Sequence, residues 1–433
     1  MKLQANTYRK GAIYSTSLSV VVKSIAFIQN FLIAYFLGAE TGTDIYFYIF
    51  GGIIAGCEII QTIASSVLIP YSMQLRNQNS FHEENSYLNA FIYTIACIII
   101  LILIIAIIAG EECIRSLSNF RKEDIHMHIQ LLYILLPASL PYVFNIIFAE
   151  ILASHKYFTF PQLIAVINNL LIIGFMILFH NYWGVLSLAL GFALATVVNL
   201  FWLLFFMKYN LAWSYTCISF KHLKRNFSDI CTVFLNHSIV AFTTMFPLYL
   251  LSMFYPGTIT VVTYATKLLQ APMNLLLQLF AVLQIKLSEQ YSLHIFRAMR
   301  QTFIQIGSKA VLLSIFGTIL FFLFRIPIIE IFFGKGAMTP ENISLFINIM
   351  GILIIGIPFS IIIAVSSRML FALHKVKIYS MIMIPMNLLT CAIYYWLIIQ
   401  KGAIGYAQTE ICTEILKAII ILICTFHLLK KIK

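Results

Sequence analysis

Charge is scarce in this sequence, and so are the patterns that soluble enzymes carry. Only 10% of its 433 residues are charged, whereas about a quarter are charged in a typical soluble domain. No polar stretch is long enough for a soluble domain, and the P-loop, HExxH and GxSxG patterns are all missing. These absences exclude a nucleotide-driven pump, a zinc protease and a serine hydrolase. We therefore expect no catalytic residues, no metal site and no cofactor.

Paired cysteines are also missing. The eight cysteines are scattered singly, with no CxxC motif, which excludes a disulfide framework. Most of them fall inside apolar runs, where a cysteine behaves as a small apolar side chain.

Long apolar runs are what the sequence has in abundance. Hydrophobic residues make up 61% of the chain, and runs of about 20 apolar residues, each enough to cross a bilayer, recur throughout. Because backbone groups in lipid must bond within their own segment, these runs predict helices. We predict an all-α polytopic membrane protein with about twelve spans at 13–37, 44–71, 88–110, 128–153, 160–179, 185–207, 228–254, 258–285, 303–323, 341–371, 376–399 and 403–429.

The basic residues follow the topology of these spans. Although the net charge is +12, most Lys and Arg residues fall in the segments on the N-terminal side of the membrane. This bias places both termini in the cytoplasm and argues against nucleic-acid binding. The run after MKLQANTYRK is too long for a signal peptide and is interpreted as a retained first span. Segment 324–340 is either an interfacial helix or a connecting loop.

An internal repeat divides the spans. LASHK at 152–156 recurs as FALHK at 371–375, and NNLLI at 168–172 recurs as MNLLT at 386–390. Gly184 stands fifteen residues after Asn169, and Gly402 stands fifteen residues after Asn387. We predict two parallel six-helix bundles, 1–220 and 221–433, around a central cavity, an arrangement typical of alternating-access transporters.

Four motifs, in order along the chain, resemble the MurJ/MviN family of the multidrug/oligosaccharidyl-lipid/polysaccharide (MOP) superfamily. They are AYFLG with Asp44 and the IP at 69–70, YATKLLQAP at 264–272, FFGKGAMTPENI at 332–343, and RMLFALHKVKI at 368–378. The resemblance implies a flippase that moves polyprenyl-diphosphate-linked glycan precursors across the bacterial inner membrane. The best-known cargo of the family is lipid II, the precursor of peptidoglycan. We expect the chain to act as a monomer.

The chain departs from the family pattern at several positions. Family arginines and an acid are replaced by Lys23, Gln29 and Asn30 in the first span, a basic pair by Cys57 and Glu58, and another arginine by Lys267. The two additional C-terminal spans of longer members are not found. Lysine is a point charge where arginine is a bidentate fork, so the cargo is either lipid II or a related lipid-linked glycan. An O-antigen or capsule repeat-unit flippase and a MATE-like ion-coupled small-molecule antiporter are the alternatives.

The candidate substrate site is cationic and rich in amides. Lys23 and Lys267 are predicted to bind the diphosphate. Hydrogen bonds to the headgroup are predicted from Gln29, Asn30, Gln270, Asn274 and Gln278. The last three are spaced i, i+4, i+8 on one helical face. Helix–helix adhesion is the alternative for this stripe, and snorkelling to the interface is the alternative for Lys23.

Four acidic residues are candidates for gating or coupling: Asp44, Glu58, Glu410 and Glu414. Asp44 either gates the outer mouth or belongs to a helix cap formed by Thr43 or Asp44. Glu58 is either proton- or cation-responsive or a structural partner of Lys23 or Lys267. Glu410 and Glu414 either take part in ion coupling or are structural, with Glu414 paired to Lys417.

Overall fold

The computed structural model describes the backbone of residues 8–78 and 81–431, together with their side chains except 8–16, 271, 274–279, 281, 282, 285 and 431. Within these ranges the secondary structure is entirely helical. The α-helices are α1 Tyr8–Leu37, α2 Thr41–Ile63, α3 Ile69–Asn77, α4 Phe81–Ala109, α5 Glu111–Leu117, α6 Lys122–Ser154, α7 Phe160–Trp183, α8 Leu186–Asn210, α9 Lys221–Arg225, α10 Phe227–Leu251, α11 Thr258–Ser292, α12 Phe296–Phe333, α13 Pro340–Leu353, α14 Ile357–Ala372, α15 Val376–Lys401 and α16 Ala403–Lys431.

Two of the long helical rods change their winding partway. A π-helix, Ala64–Leu68, joins α2 to α3, and a 3-10 turn, Ile354–Gly356, joins α13 to α14. Proline stands in the first turn of both α3 and α14, where its missing N–H leaves no donor unsatisfied. Each long helical segment therefore continues through its π-helical or 3-10 turn without a break.

Eleven helical segments in the described part of the chain are long and apolar enough to cross a membrane. They coincide with eleven of the predicted spans, which confirms an all-α polytopic membrane protein. The eighth predicted span coincides with α11, which is not among the eleven, so the number of twelve stays a prediction. Of the two alternatives for segment 324–340, the connecting loop was wrong for its first part, because α12 continues through Pro327 to Phe333. The interfacial helix stays a prediction.

The chain forms two compact units, Met1–Met245 and Phe246–Lys433, with the division inside α10. The predicted boundary lies earlier, after residue 220, and the arrangement of six spans in each half stays a prediction. In the first unit α8 packs on α6 and α7, α2 packs on α6, and α1 packs on α7. Gly191 of α8 lets it approach α7 closely, since a Cβ there would lie 3.2 Å from Ile172 Cα.

The second unit is built around α14 and α16. Helix α14 packs on α11, α12 and α16, and α16 also packs on α13 and α15. Its buried core includes Leu287, Met299, Ile361 and Met369. These side chains come from α11, α12 and α14, so the three helices share one apolar core.

The internal repeat is visible in the backbone. After α6, Lys156 has a φ of 70°, and the Tyr157 and Lys156 amides donate to the carbonyls of Leu152 and Ala153 at 2.9 and 3.0 Å. After α14, His374 has a φ of 56°, and the equivalent bonds are Lys375 to Leu370 and His374 to Phe371, at 2.9 and 3.0 Å. Both ends are the same Schellman motif.

The glycines that follow the next helix match as well. Gly184 after α7 has φ 50° and ψ −128°, and Gly402 after α15 has φ 58° and ψ −134°. Lys156 corresponds to His374, and Gly184 to Gly402, at one common spacing along the chain. The two HK dipeptides are shifted by one residue from this backbone correspondence. The repeat is therefore more regular in backbone conformation than in amino-acid sequence.

Lys156 occupies a left-handed position that favours glycine, and its exposed side chain contributes little packing. We expect Lys156→Gly to raise the free energy of unfolding by about 1 kcal/mol, because an L side chain in this conformation costs about 1–2 kcal/mol. Thermal unfolding of the purified protein in detergent measures the change. The control is Lys375→Gly, whose backbone φ of −101° gives glycine no advantage. Equal effects of the two substitutions would contradict the assignment.

Candidate functional site

The predicted residues of the first span lie on α1, which packs against α7. Lys23, Gln29 and Asn30 are all half-buried. Lys23 and Asn30 are seven residues apart and share one helical face, whereas Gln29 lies on another. The Asn30 amide already donates to the Ala26 carbonyl at 2.8 Å. Among the described side chains none forms an ion pair with Lys23.

The predicted residues of the eighth span lie on α11 in the second unit. Lys267 is half-buried and Gln270, one turn later, is exposed. The side chains of Asn274 and Gln278 lie outside the described residues, so the amide stripe stays a prediction. Lys23 and Lys267 belong to different units, and their convergence on one diphosphate also stays a prediction.

Asp44 is buried in the first turn of α2, with 3% of its surface exposed. The predicted cap at Thr43 or Asp44 was wrong, because Glu40 is the N-cap. Glu40 has extended backbone, and its amide donates to Thr43 Oγ1 at 2.8 Å, which closes a capping box that begins four residues before Asp44. The gating role of Asp44 stays a prediction.

Glu58 lies exposed on the surface of the first unit, on α2. No ion pair joins Glu58 to Lys23. Glu58 instead interacts electrostatically with His237 of α10. One turn further along α2, Gln61 Nε2 donates to Glu150 Oε1 of α6 at 3.0 Å. This part of the first unit therefore carries two acids and one imidazole on three helices.

Glu410 and Glu414 of α16 are held by hydroxyl groups of neighbouring residues. The Tyr394 and Tyr406 hydroxyls both donate to Glu410, and their rings stack with centroids 5.5 Å apart. Ser360 of α14 donates to Glu414 Oε2 at 2.8 Å. Lys417 is buried at 8% exposure close to Glu414, but no Glu414–Lys417 ion pair forms in the described part of α16. The two carboxylates thus have neutral donors on adjacent helices.

Arg368 of α14 is a further charged group that sequence reasoning did not assign to the site. Its Nη1 donates to Gln284 Oε1 of α11 at 3.0 Å, while its Nε is buried without a hydrogen bond. The two partners are 84 residues apart in the sequence, so no local pattern could have paired them.

A buried charge cluster joins α3, α4 and α6. Arg76 Nη1 lies 3.4 Å from Glu84 Oε1, and its Nη2 donates to the Ser154 carbonyl at 3.1 Å. Glu84 is fully buried. His155 Nδ1 accepts from Arg76, and its Nε2 lies 3.8 Å from Glu84 Oε1. The cluster fixes the ends of three helices at one edge of the first unit.

The first unit also contains an open cleft of about 390 Å³ with polar and apolar lining. One wall comes from the π-helix and α3, and the other comes from the start of α10 and the residue before it. We refer to it as the α3–α10 cleft. It is lined by Ser66, Val67, Pro70, Tyr71, Gln74, Asn226, Asp229, Thr232 and Val233. Sequence reasoning missed it, since its walls lie about 150 residues apart in the chain.

The part of the chain that the structure describes contains no cluster of three or more His, Cys, Asp or Glu side chains that could hold a metal ion.

Comparison with known proteins gives concordant matches. The family model "Lipid II flippase MurJ" matches residues 33–432. The "Probable lipid II flippase MurJ" of Buchnera aphidicola subsp. Schizaphis graminum is 23% identical over 467 residues, which cover 95% of this chain and 87% of that relative.

Solved structures share the fold. "Lipid II flippase MurJ, inward closed conformation" has a TM-score of 0.84 at 19% identity and covers 95% of this chain and 87% of its own. An inward-facing multidrug resistance MATE family transporter of the MOP superfamily has a TM-score of 0.80 at 15% identity, covering 97% and 98%. At these identities the structural likeness shows the fold alone.

His155 sits just after the end of the α6 span, and burial together with Arg76 lowers the pKa of His155 to about 4. An unfolded histidine titrates near 6.5, so the unfolded state binds more protons than the folded state between these values. We expect the contribution of His155 to stability to fall as pH drops from about 6.5 toward 4, and the difference between the unsubstituted protein and His155→Asn isolates this contribution. Thermal unfolding across this range measures it.

The His155→Asn variant should show a weaker dependence on pH in the same range, because it has no imidazole to protonate. His82→Asn, at an exposed position, is the control and should behave as the unsubstituted protein does. A His155→Asn profile identical to that of the control would contradict the role given to His155.

Proposed function

Since the chain belongs to the MurJ family, we propose that it is a flippase for lipid II, or for a closely related polyprenyl-diphosphate-linked glycan, in the bacterial inner membrane. The family match over residues 33–432 carries this proposal. The resemblance inferred from the four sequence motifs is confirmed by it. The eleven membrane-spanning segments make the chain a multi-pass membrane protein, and a flippase is a transporter and not a catalyst.

The direction and manner of transport are part of the proposal. The headgroup would pass from the inner to the outer leaflet by alternating access, with both termini in the cytoplasm and the chain acting as a monomer. Moving a diphosphate through hydrocarbon without partners is prohibitively costly, so the protein must replace its hydration while the polyprenyl tail stays in lipid. The support is the excess of basic residues on one side of the membrane and the half-buried lysines on α1 and α11.

Lys23 and Lys267 would bind the diphosphate, and the amides of Gln29, Asn30, Gln270, Asn274 and Gln278 would bind the rest of the headgroup. Both lysines are half-buried, a position that weakens competition from water without removing access.

Asp44, Glu58, Glu410 and Glu414 would control gating or coupling. The Glu58 carboxylate interacts electrostatically with the His237 side chain of α10. Glu410 and Glu414 sit among hydroxyl donors on α14, α15 and α16, so changes in their charge would be felt by three helices. An ion gradient or the membrane potential would supply the driving force.

A MATE-like antiporter of small cations is the second candidate, favoured by the fold similarity with a TM-score of 0.80. The acids on α16 would suit a cation. Lys417, buried beside Glu414, and Arg368 on α14 weaken that reading, because each adds positive charge to the same unit.

Lys267→Ala should lower transport of a fluorescent lipid II analogue in proteoliposomes about tenfold, since it removes a cation for the diphosphate; tenfold corresponds to about 1.4 kcal/mol. Lys286→Ala, on the same helix at an exposed position, is the matched control and should transport normally. Normal transport by a well-folded Lys267→Ala protein would show that Lys267 does not bind the diphosphate.

The cargo is tested by complementation of a conditional lipid II flippase mutant. We expect expression of the chain to restore growth, because its fold and family are those of this flippase. If the chain fails to restore growth but rescues an O-antigen or capsule flippase mutant, the cargo is another lipid-linked glycan and not lipid II.

A further inference from the structure

We propose that the α3–α10 cleft of the first unit is a carbohydrate subsite, which holds the sugar part of a lipid-linked glycan through Gln74 and Asp229. This inference rests on the proposed function and adds to it a site separate from the lysines assigned to the diphosphate. It concerns the first unit alone.

The size of the cleft suits a small organic group. Its volume of about 390 Å³ falls within the range of about 300–1,000 Å³ that is usual for small-molecule pockets. A single metal ion would leave most of this space empty, and Asp229 is the only carboxylate among the residues that line it. The occupant expected is therefore a molecule with many hydrogen-bonding groups.

One wall is formed where the helical winding changes. Ser66 and Val67 belong to the π-helix, and Tyr71 and Gln74 belong to the first turns of α3. Single π-helical turns within α-helices are frequently found at functional sites, because they interrupt the regular bonding ladder. Here the π-helix separates the apolar body of α2 from a segment that carries hydroxyl and amide groups.

The opposite wall is held in place by buried hydrogen bonds from α4. Asn89 Nδ2 donates to the carbonyls of Ser214 and Cys217 at 2.7 and 2.9 Å, and Trp213 donates to Asn89 Oδ1 at 3.0 Å. These bonds fix the loop before α9. Asn226, at the cleft itself, donates to the Tyr87 hydroxyl at 3.2 Å. The wall is thus preorganised, which lowers the entropy cost of binding a ligand.

The aromatic group of the cleft is also fixed. Tyr71 shares a hydrogen bond of 2.8 Å with His222 Nδ1, and its ring lies edge-on to Tyr87 with centroids 5.2 Å apart. A tyrosine that is held at its hydroxyl end presents a rigid, amphipathic surface to a ligand.

The side chains of Gln74 and Asp229 are the groups left available. Both are exposed, and neither side chain has a hydrogen bond or ion pair to another described group. A carboxylate accepts hydrogen bonds from hydroxyls, and an amide both donates and accepts, so together they match vicinal sugar hydroxyls and an acetamido group. The negative charge of Asp229 disfavours a diphosphate in the same place. Sugar and diphosphate would therefore bind at different positions.

The experiment uses the full chain in two formats. Binding of the uncharged disaccharide N,N′-diacetylchitobiose is measured by saturation-transfer NMR in detergent, and transport of a fluorescent lipid II analogue is measured in proteoliposomes. We expect Gln74→Ala and Asp229→Asn each to weaken disaccharide binding about tenfold and to raise the KM for transport to a similar degree, with a nearly unchanged maximal rate.

Two control variants match these substitutions. Gln78→Ala removes an exposed glutamine one turn after Gln74, outside the cleft. Asp124→Asn removes an acid from the first turn of α6, the position that Asp229 holds in α10. Both controls should bind and transport as the unsubstituted protein does, which separates a ligand contact from a general effect on a helix terminus.

The outcomes distinguish this inference from the proposed function. If the disaccharide binds and both cleft variants lose it while the unsubstituted protein transports no lipid II, the subsite stands and the cargo assignment fails. If transport is normal but the disaccharide does not bind, or binds the cleft variants equally well, the subsite is overturned. Binding of tetraphenylphosphonium in place of the disaccharide, lost in Asp229→Asn, would also overturn it.

Discussion

A polar group carried into hydrocarbon must find its partner inside the protein, and this constraint shapes the whole chain. It makes every span a helix, because only a helix satisfies the backbone within one segment. The same constraint requires polar side chains in the spans to find hydrogen-bond partners within the protein. Gln61 bonds Glu150, Ser360 bonds Glu414, and each bond joins two helices that are distant in sequence. The polar contacts that matter in each unit are consequently between helices.

The same constraint explains how much the sequence could predict. Apolar length depends on local composition alone, so the span predicted at 160–179 matches α7, Phe160–Trp183, to within a turn. The choice of hydrogen-bond partner for a polar side chain, in contrast, depends on how the helices pack in the folded protein. The bond between Tyr394 and Glu410 joins neighbouring spans, whereas Gln61 and Glu150 are 89 residues apart, and no spacing rule brings such groups together.

Local chemistry misled the sequence reasoning in two places. TGTD has the composition of a helix start, yet the capping box begins at Glu40, since Thr43 serves better as its reciprocal partner at the third position. Segment 324–340 was expected to be either an interfacial helix or a connecting loop, yet α12 continues through Pro327 to Phe333, because a long apolar helix in a membrane has few alternatives to helical backbone. The α3–α10 cleft could not be foreseen, because its walls meet only after folding.

The backbone repeat has an electrostatic consequence. The spacing that relates Lys156 to His374 also relates Glu150 of α6 to Arg368 of α14. Each of the two is bonded to a glutamine at 3.0 Å, Gln61 for the acid and Gln284 for the base. The backbone thus repeats between the two units at this spacing, whereas the charge at this equivalent position is opposite in sign. The two units therefore share a local backbone shape but differ in polarity.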